Sequence, residues 1–381
     1  MDSLTQIVLG AAVGEVVLGR KVGNKAILWG AVAGTIPDLD VLARSLFDPL
    51  RANELHRGIS HSILFSVAMA PLLGWWVKRH AASLFGVFLF LVALTFVQSA
   101  ESPLSGLFIL LFFAVPIAWA LRNMRGADPA NTREWSWLFF WSLVTHPLLD
   151  CHTTWGTQLL WPLPLRVAYN NIFVVDPLYT LPFLVCVLVA MRHARTDPRR
   201  RRINALGIAI SSAYMVLTIV LKLIATNNIA GSLARQNITY TELSTRPTPF
   251  NAILWSANVD AGDHYLLGYY SLLDTRPEVA FVQVDKDTAL LGPWAGNDKV
   301  RRLARLTEGN YVVRQRNDTL VFSDLRFGQM GDPSPDKPFV FSYRLIPEGN
   351  DLRVELIPPG EGSSEEMGGL LRGLWDRIQG E

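Results

Sequence analysis

The chain has 381 residues, enough for two folding units, and half of them are apolar, giving a mean hydropathy of +0.24. A net charge of +2 is too small to support nucleic-acid binding, and two cysteines, Cys151 and Cys186, make neither a disulfide framework nor a thiolate metal knuckle. Charged residues are sparse up to about Thr226 and frequent after it, so 1–226 reads as a helical transmembrane domain and 227–381 as a small soluble α+β domain.

The N-terminal stretch MDSLTQIVLGAAVGEVVLGRK has an acid before its apolar run and its positive charges after it. That order is the reverse of a cleavable signal, and a retained first helix is expected. A spanning helix needs about 20 mostly apolar residues. Segments near 4–19, 26–36, 62–77, 82–100, 104–121, 135–149, 172–191 and 203–225 come close, predicting a polytopic domain of about seven to eight helices. The second is short, as a half-membrane helix packed on the first would be. Gly10, Ala11 and Gly14 on one, with Gly30, Ala33 and Gly34 on the other, let the two backbones approach closely. Glu15 is costly in lipid unless paired or wet, so it should face protein, as an interhelical hydrogen-bonding group or a functional one.

Loop charges orient these segments. With the basic run Arg192 to Arg202 placed in the cytoplasm, alternation puts Arg20, Lys21, Lys25, Lys78, Arg79, Arg122, Arg125 and Arg133 there too. The opposite loops, 37–61, 101–103 and 151–171, carry only Arg44, Arg51, Arg57 and Arg166. That bias follows the positive-inside rule and predicts both termini and the C-terminal domain on the periplasmic side. His80 and His193 then fall in cytoplasmic loops as interfacial residues. After about Ile229 come the strand-like runs AILWSANV, HYLLGYYSLL, YVVRQ, TLVFSD, FVFSYRLI and LRVELI. A helix fits NDKVRRLARLTEG, capped by Asn297 and stopped by Gly309, and another fits EEMGGLLRGLWDRI. With Pro-rich turns such as GDPSPDKP, this predicts one small antiparallel sheet with one or two helices. Asp263 and His264 read as a strand end.

The outward ends of several helices share one composition. GTIPDLD supplies Asp38 and Asp40, HRGISH supplies His56 and His61, THPLLDCHTTWGT supplies His146, Asp150 and His152, and NNIFVVDP supplies Asp176. The charge rule puts all of them on one side without reference to them. Imidazole and carboxylate are the usual ligands of zinc and related divalent ions, and this set would hold one or two. His146 and Asp150 are four apart and share a helical face, although Pro147 between them threatens a kink. Asp38 and Asp40 would diverge on a helix; a loop after Pro37 would let both turn to one ion. Gly58 suggests a turn, with Ser60 as N-cap of the next helix and His61 in its first turn. Trp155 and Trp161 suit the headgroup level, and Thr153, Thr154, Gly156 and Gln158 are candidates for substrate contact.

With MDSLTQIVLGAAVGE, AGTIPDLD, HRGISHS, THPLLDCHTTWGTQLLWP and IFVVDPLYTLP, the chain resembles the membrane-bound metal-dependent hydrolases, also described as LexA-binding, inner-membrane-associated hydrolases. The motifs lie within about 1–226, and RPTPFNAILW…YYSLLD is similar to the tail of a longer bacterial subgroup. The resemblance implies a multi-pass inner-membrane protein with metal-dependent hydrolase activity. It maps the family's polar motif positions onto Asp38, Asp40, His56, His61, His146 and Asp150. Many members have Thr-His near the N-terminus where this chain has Thr5-Gln6, so a ligand is lost or Gln6 supplies an oxygen.

The expectation is therefore a metal site, zinc above others, that lowers the pKa of a bound water toward about 7. Asp40 would bridge a second ion or act as base, and His152 or Asp176 would orient the leaving group. The expected substrate is a phosphoester or a lipid-linked molecule, met at the bilayer. The alternative is a non-catalytic, metal-stabilised scaffold or regulator whose outer domain binds a protein partner.

Overall fold

The computed structural model describes residues 1–124, 129–316, 319–329, 331, 333–357 and 364–380. Arg125 of the basic loop set and Asp332 of the Pro-rich turn lie outside the described residues. The chain divides into a helical unit, Met1–Phe47, Leu55–Tyr169 and Val174–Met215, and a second unit, Asp48–Glu54, Asn170–Phe173 and Val216–Glu381.

In the helical unit α1 (Ser3–Val22) is capped by the Asp2 side chain, and α2 (Asn24–Thr35) returns alongside it. Their small residues put backbone against backbone. A β-carbon on Gly10 would lie 2.3 Å from the Gly30 carbonyl oxygen, and one on Gly30 would lie 2.2 Å from that of Gly10. The two segments expected at 62–77 and 82–100 are two helices that meet end to end in α4 (Ile63–Val97), separated by a break at His80 (φ −142°, ψ 47°) beside Lys78 and Arg79. Trp76 Nε1 donates to Ser83 Oγ at 2.9 Å across the break. Then come α5 (Pro103–Asn123), α6 (Thr132–Asp150), α7 (Pro177–Met191) and α8 (Pro198–Arg235), which runs on beyond Thr226.

Among the described residues five helical stretches are long and apolar enough to cross a bilayer: Ser3–Val22, Asn24–Ser45, Ile63–Val97, Pro103–Arg122 and Pro198–Arg235. The apolar α7 is shorter. α6 buries one face, with Trp135, Leu138, Phe139 and Leu143 within the protein, and turns Trp137, Trp141 and Leu148 outward. On α4 and α5 Leu64, Val67, Phe90, Phe108, Phe112 and Val115 also point outward. An apolar belt of that kind is what lipid would cover.

The second unit carries two four-stranded antiparallel sheets where the sequence pattern suggested one. The first is β1 (Glu242–Pro247), β2 (Leu254–Asp260), β3 (His264–Ser271) and β4 (Phe281–Asp285). The second is β5 (Tyr311–Arg316), β6 (Thr319–Gln329), β7 (Phe339–Glu348) and β8 (Asp351–Ile357). Period-two alternation buries both faces of β3. Leu266 and Tyr270 pack with Ala225, Ile229 and Leu233 of α8, while Tyr265 and Leu267 pack with Val312 and Leu325 of the second sheet. The far face of that sheet is covered by α9 (Asp298–Leu306), capped by Asn297, and by Leu50 of α3 (Pro49–Leu55). The last helix is α10 (Ser364–Ile378).

Candidate metal centre

Three pieces of the helical unit meet at the N-terminal end of α1. From α6 come His146 and Asp150. The helix continues through Pro147, so the pair does share a face, with His146 Nε2 3.4 Å from Asp150 Oδ2. From the end of α2 comes Asp38. Here the expected loop is instead a 3-10 helix, Ile36–Ser45, with Pro37 in its first turn. At about three residues per turn it points Asp38 and Asp40 in different directions. The third piece is the 3-10 turn Ile59–His61, which ends in His61. Ser60 does not cap the following helix; Ser62 does, accepting from Phe65 N at 3.0 Å, and His61 stays outside α4. Ser60 Oγ is used elsewhere, donating to Asp40 Oδ2 and sitting 3.0 Å from His61 Nδ1.

One ligand atom from each of Asp38, His61, His146 and Asp150 lies within 4.8 Å of the others. The two Nε2 atoms are 3.1 Å apart. Asp38 Oδ1 is 3.5 Å from His61 Nε2 and 3.4 Å from His146 Nε2, and Asp150 Oδ2 is 3.3 Å from His61 Nε2. A tetrahedral ion with bonds of about 2.0–2.1 Å separates its donors by about 3.3–3.4 Å, so the five separations of 3.1–3.5 Å are close to the edges of such a shell, with the Asp38–Asp150 pair held within 4.8 Å.

The hydrogen bonds behind the donors fix their lone pairs. His146 Nδ1 is 2.6 Å from the Gly34 carbonyl, which only accepts, so Nδ1 carries the proton and Nε2 is left bare in the neutral ring. His61 Nδ1 faces Ser60 Oγ and Asp40 Oδ2, which assigns its proton in the same way. Asp150 Oδ2 is fully buried and has no hydrogen-bond partner. A carboxylate oxygen outside any hydrogen bond and two imidazole lone pairs aimed at one point fit a cation. His61, His146 and Asp150 are inaccessible to solvent, and Asp38, with 19% of its side chain exposed, forms the open edge. Burial opposes charge on His61, yet the carboxylates of Asp150, Asp38 and Asp40 outweigh it and lift the imidazole to about 10. The surrounding negative charge thus calls for a proton or a metal ion.

Asp40 and His56 stand one hydrogen bond further out. Asp40 accepts from Arg57 N at 2.9 Å, and its Oδ1 is 2.9 Å from His56 Nδ1. The His56 ring also lies against Trp155, centroids 5.3 Å apart, and burial pushes its pKa below the ordinary value against the pull of Asp40. His152 packs on Tyr169. Asp176 caps α7, accepting from Leu178 N at 3.0 Å, Tyr179 N at 3.2 Å and Tyr214 Oη at 2.9 Å.

Two further residues complete the centre: Gln6, where the sequence left a lost ligand or an oxygen donor open, and Arg57, which the sequence did not mark as part of the site. Gln6 donates Nε2 to Asp150 Oδ1 at 2.9 Å and to the His146 carbonyl at 3.2 Å. Both partners are acceptors, so the amide nitrogen faces the centre and Gln6 supports a ligand. Arg57 is 5% exposed, in the left-handed region at φ 55°, a strain of about 1–2 kcal/mol. Its NH1 donates to Thr153 Oγ1 at 2.7 Å, and its Nε lies 3.3 Å from Asp150 Oδ2 without the alignment of a hydrogen bond. The amino group of Met1 also contacts Asp150 Oδ1.

Residues 1–99 and 105–228 match the family described as YdjM inner membrane protein. The chain belongs to this family. With its apolar helices it is an inner membrane protein, and the buried Asp and His cluster of its helical unit has the donor set of a metal site. Neither the curated proteins nor the solved structures contain a match to it.

Proposed function

We propose that this YdjM family member is a metal-dependent hydrolase acting at the periplasmic face of the inner membrane on a phosphoester or lipid-linked substrate. The observation that carries the proposal is the convergence of two bare Nε2 atoms and two carboxylate oxygens on one point, with Asp38 at the open edge. Two imidazoles and two carboxylates favour zinc, one ion for these four donors. A divalent cation held there supplies activation of water at neutral pH.

The remaining steps belong to the chain. Asp40 orients His61 and, at 2.9 Å, fixes the Nδ1 proton of His56. His56 Nε2 is thereby free to accept a proton at the rim, where 20% of its side chain is exposed. Arg57 places a buried guanidinium beside Asp150, suited to the charge that builds on a phosphoryl oxygen. The periplasmic assignment rests on the basic residues at the opposite end of α1, and an outer location for the C-terminal domain, where it would meet a protein partner, rests on the same bias.

A second reading, a metal clasp without catalysis, is favoured by the burial of three of the four donors. The test is hydrolysis of phosphomonoesters, phosphodiesters and phospholipids by the purified chain, with chelator and metal add-back, beside Asp38→Asn and His61→Ala. Chelator-sensitive turnover lost in both variants is expected. Metal-loaded protein inert across the panel, but less heat-stable once chelated, would favour the clasp.

A further inference from the structure

At the other end of α1 and α2 lies a cavity of about 380 Å³, lined by the end of α1, the turn before α8 and the first residues of α8. It is far from the Asp and His cluster. Gln6 and Arg20 are fourteen residues apart on one helix, about 21 Å along its axis. Its volume is at the small end of the range for ligand pockets.

The floor is a buried ion pair. Arg200, 2% exposed, donates Nε to Glu15 Oε1 at 2.7 Å and NH2 to Glu15 Oε2 at 2.5 Å, while its NH1 donates to Asn24 Oδ1 and the His193 carbonyl. Glu15 and Arg200 therefore neutralise each other. Asp197 is engaged as well, accepting from Arg199 N at 2.8 Å and facing His193 Nδ1 at 3.1 Å. Arg20, Arg195, Arg201 and Arg202 complete the wall. Arg195 NH1 donates to the Lys21 carbonyl, a bond that holds the side chain without cancelling its charge. Four arginines against the one carboxylate of Asp197, over a neutral floor, leave the cavity positive. A solvated basic loop needs no hollow; this one borders a half-open cavity between the end of α1 and the start of α8.

We infer that this cavity binds a phosphate group. Guanidinium forks match phosphate oxygens in pairs, and basic pockets between helix ends at the cytoplasmic face suit anionic headgroups. The same chemistry is offered by a phospholipid headgroup and by free phosphate, and the experiment separates them. The full-length chain is purified in a mild detergent and presented with phosphatidylglycerol, phosphatidylcholine or inorganic phosphate. Retained lipid is read by native mass spectrometry and phosphate by calorimetry. The comparison is with Arg20→Gln/Arg201→Gln/Arg202→Gln, which leaves the Glu15–Arg200 floor intact; equal thermal midpoints establish that the variant folds.

Selective retention of phosphatidylglycerol, weakened more than about tenfold in the triple variant, supports the inference with a headgroup as source. Phosphate binding weakened by the same variant, without lipid selectivity, supports it with soluble phosphate as source. Equal binding by wild type and variant, or no preference for the anionic probes over phosphatidylcholine, overturns it.

Discussion

Replacing Gly30 by alanine tests whether the α1–α2 contact holds the metal centre together. The added carbon would stand 2.2 Å from the Gly10 carbonyl oxygen and 2.9 Å from Gly14 Cα, both backbone atoms that no rotamer change can move. Restoring ordinary contact requires the helices to part by about 1 Å. Overpacking costs about 1–3 kcal/mol, at the upper end here because backbone atoms stand in the way, while alanine's better helix propensity returns about 1 kcal/mol, so a net loss approaching about 2 kcal/mol is expected. The centre feels the same displacement, because Gln6 on α1 holds Asp150 and the Gly34 carbonyl on α2 holds His146. The assay is thermal unfolding in detergent together with bound metal, beside Gly86→Ala on α4. There the new carbon meets only Ile117 Cγ2 at 3.5 Å, so that variant should unfold at or above the wild-type temperature. A Gly30→Ala protein with wild-type midpoint and wild-type metal content would refute the reasoning.

Glu15→Gln and Arg200→Met should each destabilise by about 3–5 kcal/mol, because each strands a buried partner, and the double variant should lose less than their sum; additive losses in the thermal cycle would deny the pairing. Glu54 bears a burial cost that its Arg302 fork, at 2.8 Å on both oxygens, and Arg51 outweigh, so it titrates below the ordinary 4.5. Its stabilising contribution is whole above 4.5 and disappears as pH falls through the lowered value. Hydrogen exchange in α9 should therefore quicken in acid, and Arg302→Ala should erase that dependence. Asp176→Ala should cost about 1 kcal/mol through loss of the α7 cap, and Asp176→Asn much less, with metal content unchanged in both; metal lost from the Asn variant would give Asp176 a place at the centre instead.

The helices and the small-residue seam were legible because apolar length and Gly spacing are local properties. So was the class of fold, down to the cap of α9 by Asn297. All four strands of the second sheet were legible, but the division into two sheets was not anticipated, since β1, ELSTRP, and β4, FVQVD, which complete the first sheet, are short and mixed in character. At the centre the residue types were readable, but the two layers were not. Asp38 and Asp40 differ only in the direction a 3-10 turn gives them, and His61 and His56 only in which side of the Arg57–Ser60 turn they occupy. Gln6 stood where a ligand was expected and turned out to donate to one. Arg57 lay in plain view between the two histidines, but only tertiary contact reveals that its guanidinium is buried. Arg200 was hidden for the opposite reason: in a run of solvated arginines, nothing local marks the one that reaches Glu15.

Elemental analysis of the purified chain, beside His146→Ala, addresses the central claim most directly. A metal centre of four protein donors predicts close to one divalent ion per wild-type chain, and little in the variant although it still inserts and folds. Folded wild-type protein that carries no ion after equilibration with zinc, or a variant that carries as much as the wild type, would contradict the account.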